Sequence, residues 1–362
     1  MDAALSEILE RVRAAAGRGE ALRIRGGGSK DFYGEPAQGE PLQTQPLQGL
    51  VAYEPSELVV TARAGMPLAQ LEALLTAEGQ CLPFEPPHFA GGATVGGMVA
   101  AGLCGPARAS VGAVRDYVLG LNLVNGKGEH LVFGGQVMKN VAGYDVSRLM
   151  SGALGTLGLI TEVSLKVLPV APAEATLRFE MPQAEALRRL NAWGGQPLPL
   201  NASCWLEDAP GRGVLLLRLR GAAAAVESAC RSLGGERQEA AQAAAHWQLL
   251  RDQALPWFRQ QPGGELWRLS VPQAAPVVEL PEAQLVEWHG AQRWVHVQAG
   301  RGAALRDIAQ RAGGHATLWR APDATRGRFH PLSPALARIH AALKREFDPA
   351  GVFNRGRLYP DF

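Results

Sequence analysis

Two glycine-rich segments hold the residues of this chain that are best suited to bind an anionic ligand. Residues 22–34 read LRIRGGGSKDFYG, and residues 91–105 read GGATVGGMVAAGLCG. Consecutive glycines after a short strand leave backbone N–H groups that can converge on an anion, because no Cβ stands in the way. The two loops lie about sixty residues apart. A ligand that reaches both is better explained as a dinucleotide than as a lone phosphate.

A third segment and one hydroxyl group add to this pattern. Thr94 places a hydroxyl inside the second loop, where it can join the glycine amides around a diphosphate. Residues 137–158 contain Lys139, Asn140 and glycines at positions 152, 155 and 158. Any one segment could be a structural turn or a packing contact. Three of them in one region favour a ligand-binding site.

Two common nucleotide-binding motifs are absent. A Rossmann fingerprint, G-x-G-x-x-G, must run directly into a helix, whereas Phe32, Tyr33 and Gly34 interrupt the chain after the first glycines. A Walker A loop requires G-K-[ST], and the sequence contains no such tripeptide. The sequence therefore argues against both of these nucleotide-binding folds.

Composition excludes several functional classes. The chain has 362 residues, a formal net charge of +2 and 47% hydrophobic residues, which fits a folded protein of about two domains. The near-neutral charge gives no indication of a nucleic acid partner. Cys81, Cys104, Cys204 and Cys230 form no C-x-x-C pair, so we expect neither an iron–sulfur cluster nor any metal site. No apolar run reaches the ~20 residues of a membrane span, and we expect a cytoplasmic protein.

Hydrophobic patterns predict the elements that position the loops. Val163, Leu165 and Val167 alternate with polar residues, the period-2 pattern of a half-buried strand. Strands are predicted at 58–63, 117–124, 130–133 and 159–168 and a helix at 67–78, with Asn125-Gly126 as a hairpin turn. Apolar residues at helical spacing predict an N-terminal helix that ends at Gly17.

The second half of the chain differs in composition. All eight tryptophans follow the proline-rich stretch around Pro169, so we place a domain boundary there. The patterns predict strands at 213–219, 266–271 and 293–299 and helices at 222–233, 303–312 and 334–347, which favours a sheet covered on one face by helices. Residues 173–212 and 234–264 give no clear prediction.

Four segments, taken in order, resemble a known family. They are RGGGSKDFYG, PPHFAGGATVGGMVAAGLCGPARASVG, RDYVLGLNLVNGKGE and MKNVAGYDVSRLMSGALGTLGLITEVSLKVLP. Together they resemble the FAD-binding domain of the vanillyl-alcohol oxidase and p-cresol methylhydroxylase (PCMH) superfamily, and within it the FAD-binding E subunits of bacterial glycolate oxidases. The resemblance is strong over residues 20–170 and returns at the C-terminus in FDPAGVFNRGRLYPDF.

The resemblance implies an α+β architecture and a set of cofactor-binding residues. A PCMH-type FAD-binding domain of two α+β subdomains would occupy residues 1–170. A smaller α/β cap domain over the flavin would occupy residues 171–362, with a C-terminal segment that returns towards the flavin domain. The implied first phosphate loop is Gly26, Gly27, Gly28, Ser29 and Lys30, and the second is Thr94, Val95, Gly96 and Gly97. The implied remainder of the site is Pro87, Gly102, Gly143, Gly155, Thr156, Gly158, Ile160, whose backbone would meet the adenine, and Asn354.

The chain departs from the pattern of its relatives at two positions. Relatives often carry Gly-Ser where this chain has Gly152-Ala153, which removes one hydroxyl contact. Arg355 replaces the usual proline after Asn354, which puts the contact of Asn354 with the flavin ring in doubt. Some relatives attach FAD covalently through a histidine in the first loop. Residues 25–34 contain no histidine, so we expect non-covalent FAD.

The sequence assigns no catalytic residue. Oxidation of a 2-hydroxy acid needs a base, a cation for the carboxylate and a hydride acceptor. Related dehydrogenases carry an H-x-G-D-G-N stretch in the cap domain, and this chain has none. We interpret His296 as a core or surface histidine. His88, beside the second loop, is the remaining candidate base.

The resemblance also implies partners and a reaction. It predicts an FAD-binding subunit of a multi-subunit glycolate (2-hydroxy acid) oxidase, an FAD-dependent oxidoreductase that acts on CH-OH groups and converts glycolate to glyoxylate. Electrons would leave through a larger flavoprotein subunit and an iron–sulfur subunit, with the complex peripheral at the inner face of the cytoplasmic membrane. Two alternatives stay open: a self-sufficient FAD-dependent 2-hydroxy-acid dehydrogenase, and a flavin-free assembly subunit.

Overall fold

The chain folds into two compact units. A computed structural model describes residues 2–89, 91–135, 144–209, 211–259, 263–322 and 327–360. The first unit comprises Met1–Leu103, Ala113–Pro169 and Ala324–Phe362, and the second comprises Cys104–Gly112 and Val170–Asp323. This division differs from the predicted single boundary near residue 170, because two segments belong to the other unit. The C-terminal segment belongs to the first unit, and residues 104–112 belong to the second.

The first unit contains a five-stranded antiparallel sheet. In spatial order the strands are Leu50–Glu54, Val59–Arg63, Leu159–Lys166, Val118–Val124 and His130–Gly134. The four strands predicted for this region are confirmed to within two residues at each end. Asn125 closes the predicted hairpin, because its side-chain oxygen accepts the N–H groups of Lys127 and Glu129, each at 3.0 Å. The predicted helix that follows Pro67 spans Leu68–Ala77.

The N-terminal helix packs on a parallel pair of short strands. The helix Ala3–Arg18 begins after Asp2, whose carboxylate accepts the N–H of Ala4, and ends at Gly19 in the left-handed conformation. The prediction that Gly17 ends the helix is wrong, since the helix continues to Arg18 and a left-handed glycine follows it. The buried face packs with the strands Leu22–Arg25 and Glu40–Gln43 and with Phe353; it consists of Leu5, Ile8, Leu9, Val12 and Ala15.

The C-terminal segment pairs with the first strand of the first unit. Leu22 pairs with Phe353 in a parallel bridge, and the N–H of Leu22 donates to the Val352 carbonyl at 2.7 Å. The helix Pro334–Phe347 precedes this pairing and has the predicted bounds. Residues from the two ends of the chain therefore share one core.

The second unit is an eight-stranded sheet in which every described ladder is antiparallel. In spatial order its strands are Glu236–Arg237, Ala173–Glu180, Arg212–Gly221, Leu200–Ala209, Gln284–Glu287, Gln292–Gln298, Gly264–Ser270 and His315–Arg320. Three helices cover one face: Gln183–Gly194, Ala223–Leu233 and Gly302–Arg311. The helix Ala240–Arg251 lies on the opposite face, where the Trp247 indole donates to Thr176 at 2.9 Å. The unit is therefore α+β.

A left-handed turn holds residues 104–112 in the second unit. Trp288 and His289 both have positive φ angles, 53° and 55°. The Trp288 indole donates to the Gly105 carbonyl at 3.0 Å, and Nε2 of His289 lies 3.0 Å from the Ser110 hydroxyl. These contacts join residues that are 183 and 179 positions apart, so no local sequence pattern could have predicted them.

A buried carboxyl group makes the stability of the second unit depend on pH. Glu287 is 4% exposed, and its carboxylate accepts N–H groups from Trp294 at 2.6 Å and Gln292 at 3.0 Å. Burial raises its pKa to about 7, although these hydrogen bonds and the charge of Arg268 oppose the shift. The unfolded chain loses this proton near pH 4.5 and the folded chain keeps it to about pH 7, so the stability falls as the pH rises through this window.

We expect Glu287→Gln to remove this part of the pH dependence, because the amide keeps an acceptor and has no proton to lose. The measurement is the difference in Tm between the two proteins at about pH 5 and about pH 8. The variant should gain stability relative to the wild type at the higher pH. An equal difference at both pH values would show that Glu287 does not titrate in this window.

Candidate cofactor site

The first unit contains an open cleft with a cavity volume of about 110 Å³. We call it the glycine cleft. The implied site residues that line it are Gly26, Gly27, Gly28, Ser29, Lys30, Thr94, Gly96, Gly97, Gly155, Gly158, Ile160 and Asn354. Pro87, Val95, Gly102 and Thr156 are not among its lining residues. Gly143 lies outside the described residues. Segments from both ends of the chain and from its middle thus converge on one cleft.

The two glycine loops touch each other, which explains why they contain glycine. A Cβ on Gly27 would lie 1.4 Å from the Gly92 carbonyl oxygen, and a Cβ on Gly26 would lie 2.5 Å from the Thr94 hydroxyl. Neither distance is compatible with a side chain. Gly28 has a φ of +76°, a conformation that glycine adopts without steric cost. Close packing of the loops is therefore one function of these glycines, and it forms the wall of the cleft.

The first loop presents unused backbone donors. Within the described chain, the N–H groups of Gly27, Gly28 and Ser29 donate to no acceptor, whereas the N–H of Asp31 donates to the Gly28 carbonyl at 3.0 Å. Successive N–H groups in a turn form a concave anion-binding surface. These N–H groups are free to bind a ligand, and the phosphate-binding role of the loop stays a prediction.

The second loop has a different arrangement from the predicted one. The N–H of Val95 donates to the Met66 carbonyl at 3.0 Å, and the N–H of Gly96 donates to the Ala64 carbonyl at 2.8 Å. The N–H of Gly97 donates to the Thr94 hydroxyl at 3.2 Å, which caps the helix Val95–Ala101. Because these amides are already bonded, the second loop offers a close-fitting surface and the hydroxyl hydrogen of Thr94. The expectation of a second amide cradle is corrected accordingly.

Substitution of Thr94 by valine tests this capping contact. We expect Thr94→Val to lower the free energy of unfolding by about 1 kcal/mol, the usual contribution of a helix N-cap. Thr94→Ser keeps the capping oxygen and should retain most of the stability. Chemical denaturation of both variants measures the difference. Equal stabilities for the valine and serine variants would rule out a capping contribution.

Asn354 connects the strand Leu22–Arg25 to Leu154, which lies in the third glycine-rich segment of the sequence. Its side-chain oxygen accepts the N–H of Ile24 at 2.7 Å, and its amide nitrogen donates to the Leu154 carbonyl at 2.6 Å. Its side chain also excludes a Cβ from Gly155, which would lie 2.8 Å from the amide nitrogen. Asn354 lines the cleft, but its amide already holds the two segments together. Arg355 leaves this arrangement intact and donates to the Gly19 carbonyl at 2.9 Å.

Thr156 makes a structural contact with Ala153, the position where relatives often carry a serine. Its hydroxyl donates to the Ala153 carbonyl at 2.8 Å and is buried. The Thr156 side chain therefore folds into the loop itself. Ala153 is also buried, so its missing hydroxyl would in any case have pointed into a packed environment.

Sequence reasoning missed two cations that line the cleft, Arg25 and Arg357. Arg25 pairs with Asp31 at 2.8 Å, and both side chains are partly exposed. Arg357 is 9% exposed and donates to the carbonyls of Glu35 and Asp31, the latter at 2.9 Å. Arg25 directly precedes the glycines and could have been included from its position alone. Arg357 had no such local signal.

The candidate catalytic histidine lies outside the cleft lining. Nε2 of His88 is 2.8 Å from the Glu72 carboxylate, and both side chains are mostly buried. The His296 ring lies 2.9 Å from the Trp257 carbonyl and packs against the Trp257 ring, and its burial lowers its pKa. His296 is thus partly buried and in contact with Trp257, and its interpretation as a core or surface histidine stays a prediction. The described residues contain no cluster that could hold a metal ion, and none of the described helices is long and apolar enough to cross a membrane.

Comparisons with known proteins show which proteins this chain is similar to. A family model described as an FAD binding domain matches residues 3–134. The chain is 48% identical over 354 residues to glycolate oxidase subunit GlcE of Escherichia coli K12, covering 98% of this chain and 97% of that protein. It is 31% identical over 128 residues to glycolate oxidase subunit GlcD of Bacillus subtilis, covering 35% and 27% of the two chains. A solved structure of alkyldihydroxyacetonephosphate synthase has a TM-score of 0.66 at 15% identity over 96% of this chain and 74% of that one, which indicates a shared fold.

Proposed function

This chain belongs to the family of the glycolate oxidase subunit GlcE, and from that premise we propose that it is the FAD-binding subunit of a multi-subunit glycolate oxidase. The complex removes two electrons and two protons from glycolate to form glyoxylate. The electrons leave through partner subunits. The glycine cleft is the observation that supports this proposal most directly, because loops, cations and lining residues suited to a dinucleotide meet there.

The residues of the cleft fit FAD in its diphosphate region. Gly27, Gly28 and Ser29 offer backbone N–H donors, and Lys30 and Arg25 place positive charge beside them. When bound, FAD supplies the hydride acceptor of the reaction. The described lining residues include no histidine, cysteine or tyrosine that could form a bond to a flavin. We therefore propose that FAD is held non-covalently.

The proposal extends to the partners and the second unit. The cysteines of the chain have no cluster-binding spacing, so an iron–sulfur subunit would receive the electrons together with a larger flavoprotein subunit. The second unit would act as the cap domain of the family fold. We place the complex in the cytoplasm, peripheral to the inner face of the cytoplasmic membrane.

The test is an anaerobic titration of the purified chain. The chain is first loaded with FAD and its dissociation constant is measured, and glycolate is then added while the visible flavin absorbance is followed. We expect stoichiometric FAD and an unchanged spectrum until the larger flavoprotein subunit is added. Bleaching by glycolate without a partner would instead support a self-sufficient dehydrogenase. A well-folded chain that takes up no FAD would overturn the proposal and favour the flavin-free assembly subunit.

A further inference from the structure

The Arg357 side chain binds the backbone at the end of the first phosphate loop and in the residues that follow it. Its guanidinium donates to the carbonyls of Glu35, Asp31 and Lys30, the last two at 2.9 and 3.4 Å. The backbone of Arg357 pairs with the same loop, since its carbonyl accepts the N–H of Glu35 at 2.9 Å. A planar guanidinium can gather several carbonyls in this way, whereas the ammonium of a lysine cannot reproduce the fork.

The positive charge of Arg357 has no carboxylate partner within ion-pair distance among the described residues. Asp31, the nearest candidate, pairs with Arg25 at 2.8 Å, and the Glu35 carboxylate accepts the backbone N–H groups of Gly327 and Arg328. Direct compensation of this buried charge therefore comes from carbonyl dipoles, with Asp31 and Glu35 acting only from a longer distance, an arrangement that is costly in free energy.

The surroundings of Arg357 carry more positive than negative charge. Arg328 and Arg23 lie close enough to lower its pKa, burial being the larger cause, while Asp31 and Glu35 oppose the shift. Arg25 and Lys30 add two more cations to the same cleft. A buried cation in an electropositive cleft strongly favours an anionic ligand, because the surrounding low dielectric increases their attraction.

We propose that Arg357 binds the diphosphate of FAD and at the same time positions the phosphate loop through its carbonyl contacts. This inference rests on the proposed function, since FAD supplies the diphosphate. The Nε–H of Arg357 donates to no acceptor among the described residues, and it remains available for a phosphate oxygen. The ligand anion provides the directly bonded counter-charge that Asp31 and Glu35 do not provide.

The experiment compares a flavin that has phosphates with one that has none. Dissociation constants for FAD and for riboflavin are measured by flavin fluorescence with the full-length wild type, Arg357→Met and Arg357→Lys. We expect Arg357→Met to weaken FAD binding by about 30-fold, the effect of one lost charged hydrogen-bonding group, and to leave riboflavin binding unchanged. Arg357→Lys keeps the charge and should weaken FAD binding less. The FAD affinity of Arg357→Met should also depend less on salt than that of the wild type.

Arg355→Met is the matched control. Arg355 is two residues away and also binds backbone carbonyls, but it does not line the cleft, so its removal should not change FAD affinity. Wild-type FAD affinity in Arg357→Met, or an equal loss of riboflavin affinity, would overturn the inference. Should the methionine variant fail to fold, the FAD and riboflavin dissociation constants of Arg357→Lys replace it. A smaller loss of affinity that is confined to FAD is then the expected result. A wild-type chain that binds inorganic pyrophosphate through Arg357 but does not bind FAD would contradict the proposed function alone.

Discussion

Gly27→Ala lowers the affinity of the chain for FAD by about 100-fold, equivalent to about 3 kcal/mol of overpacking. The added Cβ would lie 1.4 Å from the Gly92 carbonyl oxygen and 2.3 Å from its carbon. Both atoms belong to the backbone, so no side-chain rotation can relieve the overlap. The two glycine loops must separate, and the wall of the glycine cleft opens with them.

Gly91→Ala provides the matched control for this substitution. Gly91 is the neighbour of Gly92 in the second loop, but a Cβ there meets nothing within 4 Å and its φ is not in the left-handed region. We expect this variant to bind FAD like the wild type. Fluorescence titration measures both variants, and thermal unfolding confirms that each is folded. Unchanged FAD affinity in Gly27→Ala would mean that the contact between the loops does not shape the cofactor site.

Lys344→Met lowers the free energy of unfolding by about 3–5 kcal/mol, the cost of breaking a buried ion pair. The Lys344 ammonium lies 2.7 Å from the Asp348 carboxylate and donates to the carbonyls of Thr156 and Phe353 at 2.7 and 2.8 Å. The Asp348 side chain is fully buried. Without Lys344 the Asp348 carboxylate stays in the interior and has no other ion-pair partner among the described residues.

The position of this ion pair explains the size of the effect. Asp348 also accepts the N–H groups of Val352 and Phe353 at 2.8 and 2.7 Å, so one cluster fixes the turn that leads to Asn354. The carbonyl of Thr156 links the same cluster to the third glycine segment. Loss of Lys344 should therefore weaken FAD binding as well as stability, because both segments line the cleft.

A double variant separates the buried charge from the lost packing. Lys344→Met combined with Asp348→Asn removes both charges and should be more stable than Lys344→Met alone by about 1–2 kcal/mol, because no unpaired carboxylate remains in the interior. Arg345→Met is the control, since Arg345 is exposed and its loss should change the stability by less than about 0.5 kcal/mol. Denaturant unfolding measures all three variants. A loss below about 1 kcal/mol in Lys344→Met would exclude a stabilising ion pair.

Elements with a clear local pattern could be predicted from the sequence. Burial on one face imposes a period on the residues themselves. That period predicted the strands Val118–Val124 and Leu159–Lys166 and the helix Pro334–Phe347. The strands Ala173–Glu180 and Leu200–Ala209 and the helix Ala240–Arg251 were not. Much of Leu200–Ala209 is buried on both faces, which removes the alternation, and the alanine-rich helix has too few large apolar residues to mark a face.

The glycine loops are the part of the site that the sequence determined by itself. Three glycines after Arg25 and the segment around Thr94 require close approach of the backbone wherever the chain folds, and that requirement is visible in the residue types alone. The resemblance to FAD-binding proteins then depends on these local motifs, and the comparisons bear it out.

Only the tertiary structure decided which groups remain available to a ligand. The amides of the second loop are bonded to Met66 and Ala64, and Asn354 reaches Ile24 across 330 residues of sequence. Arg357 likewise enters the cleft from the far end of the chain. Hydrogen bonds between distant segments depend on how the whole chain packs, so neither the use of a donor nor the burial of a charge can be read from its neighbours in the sequence.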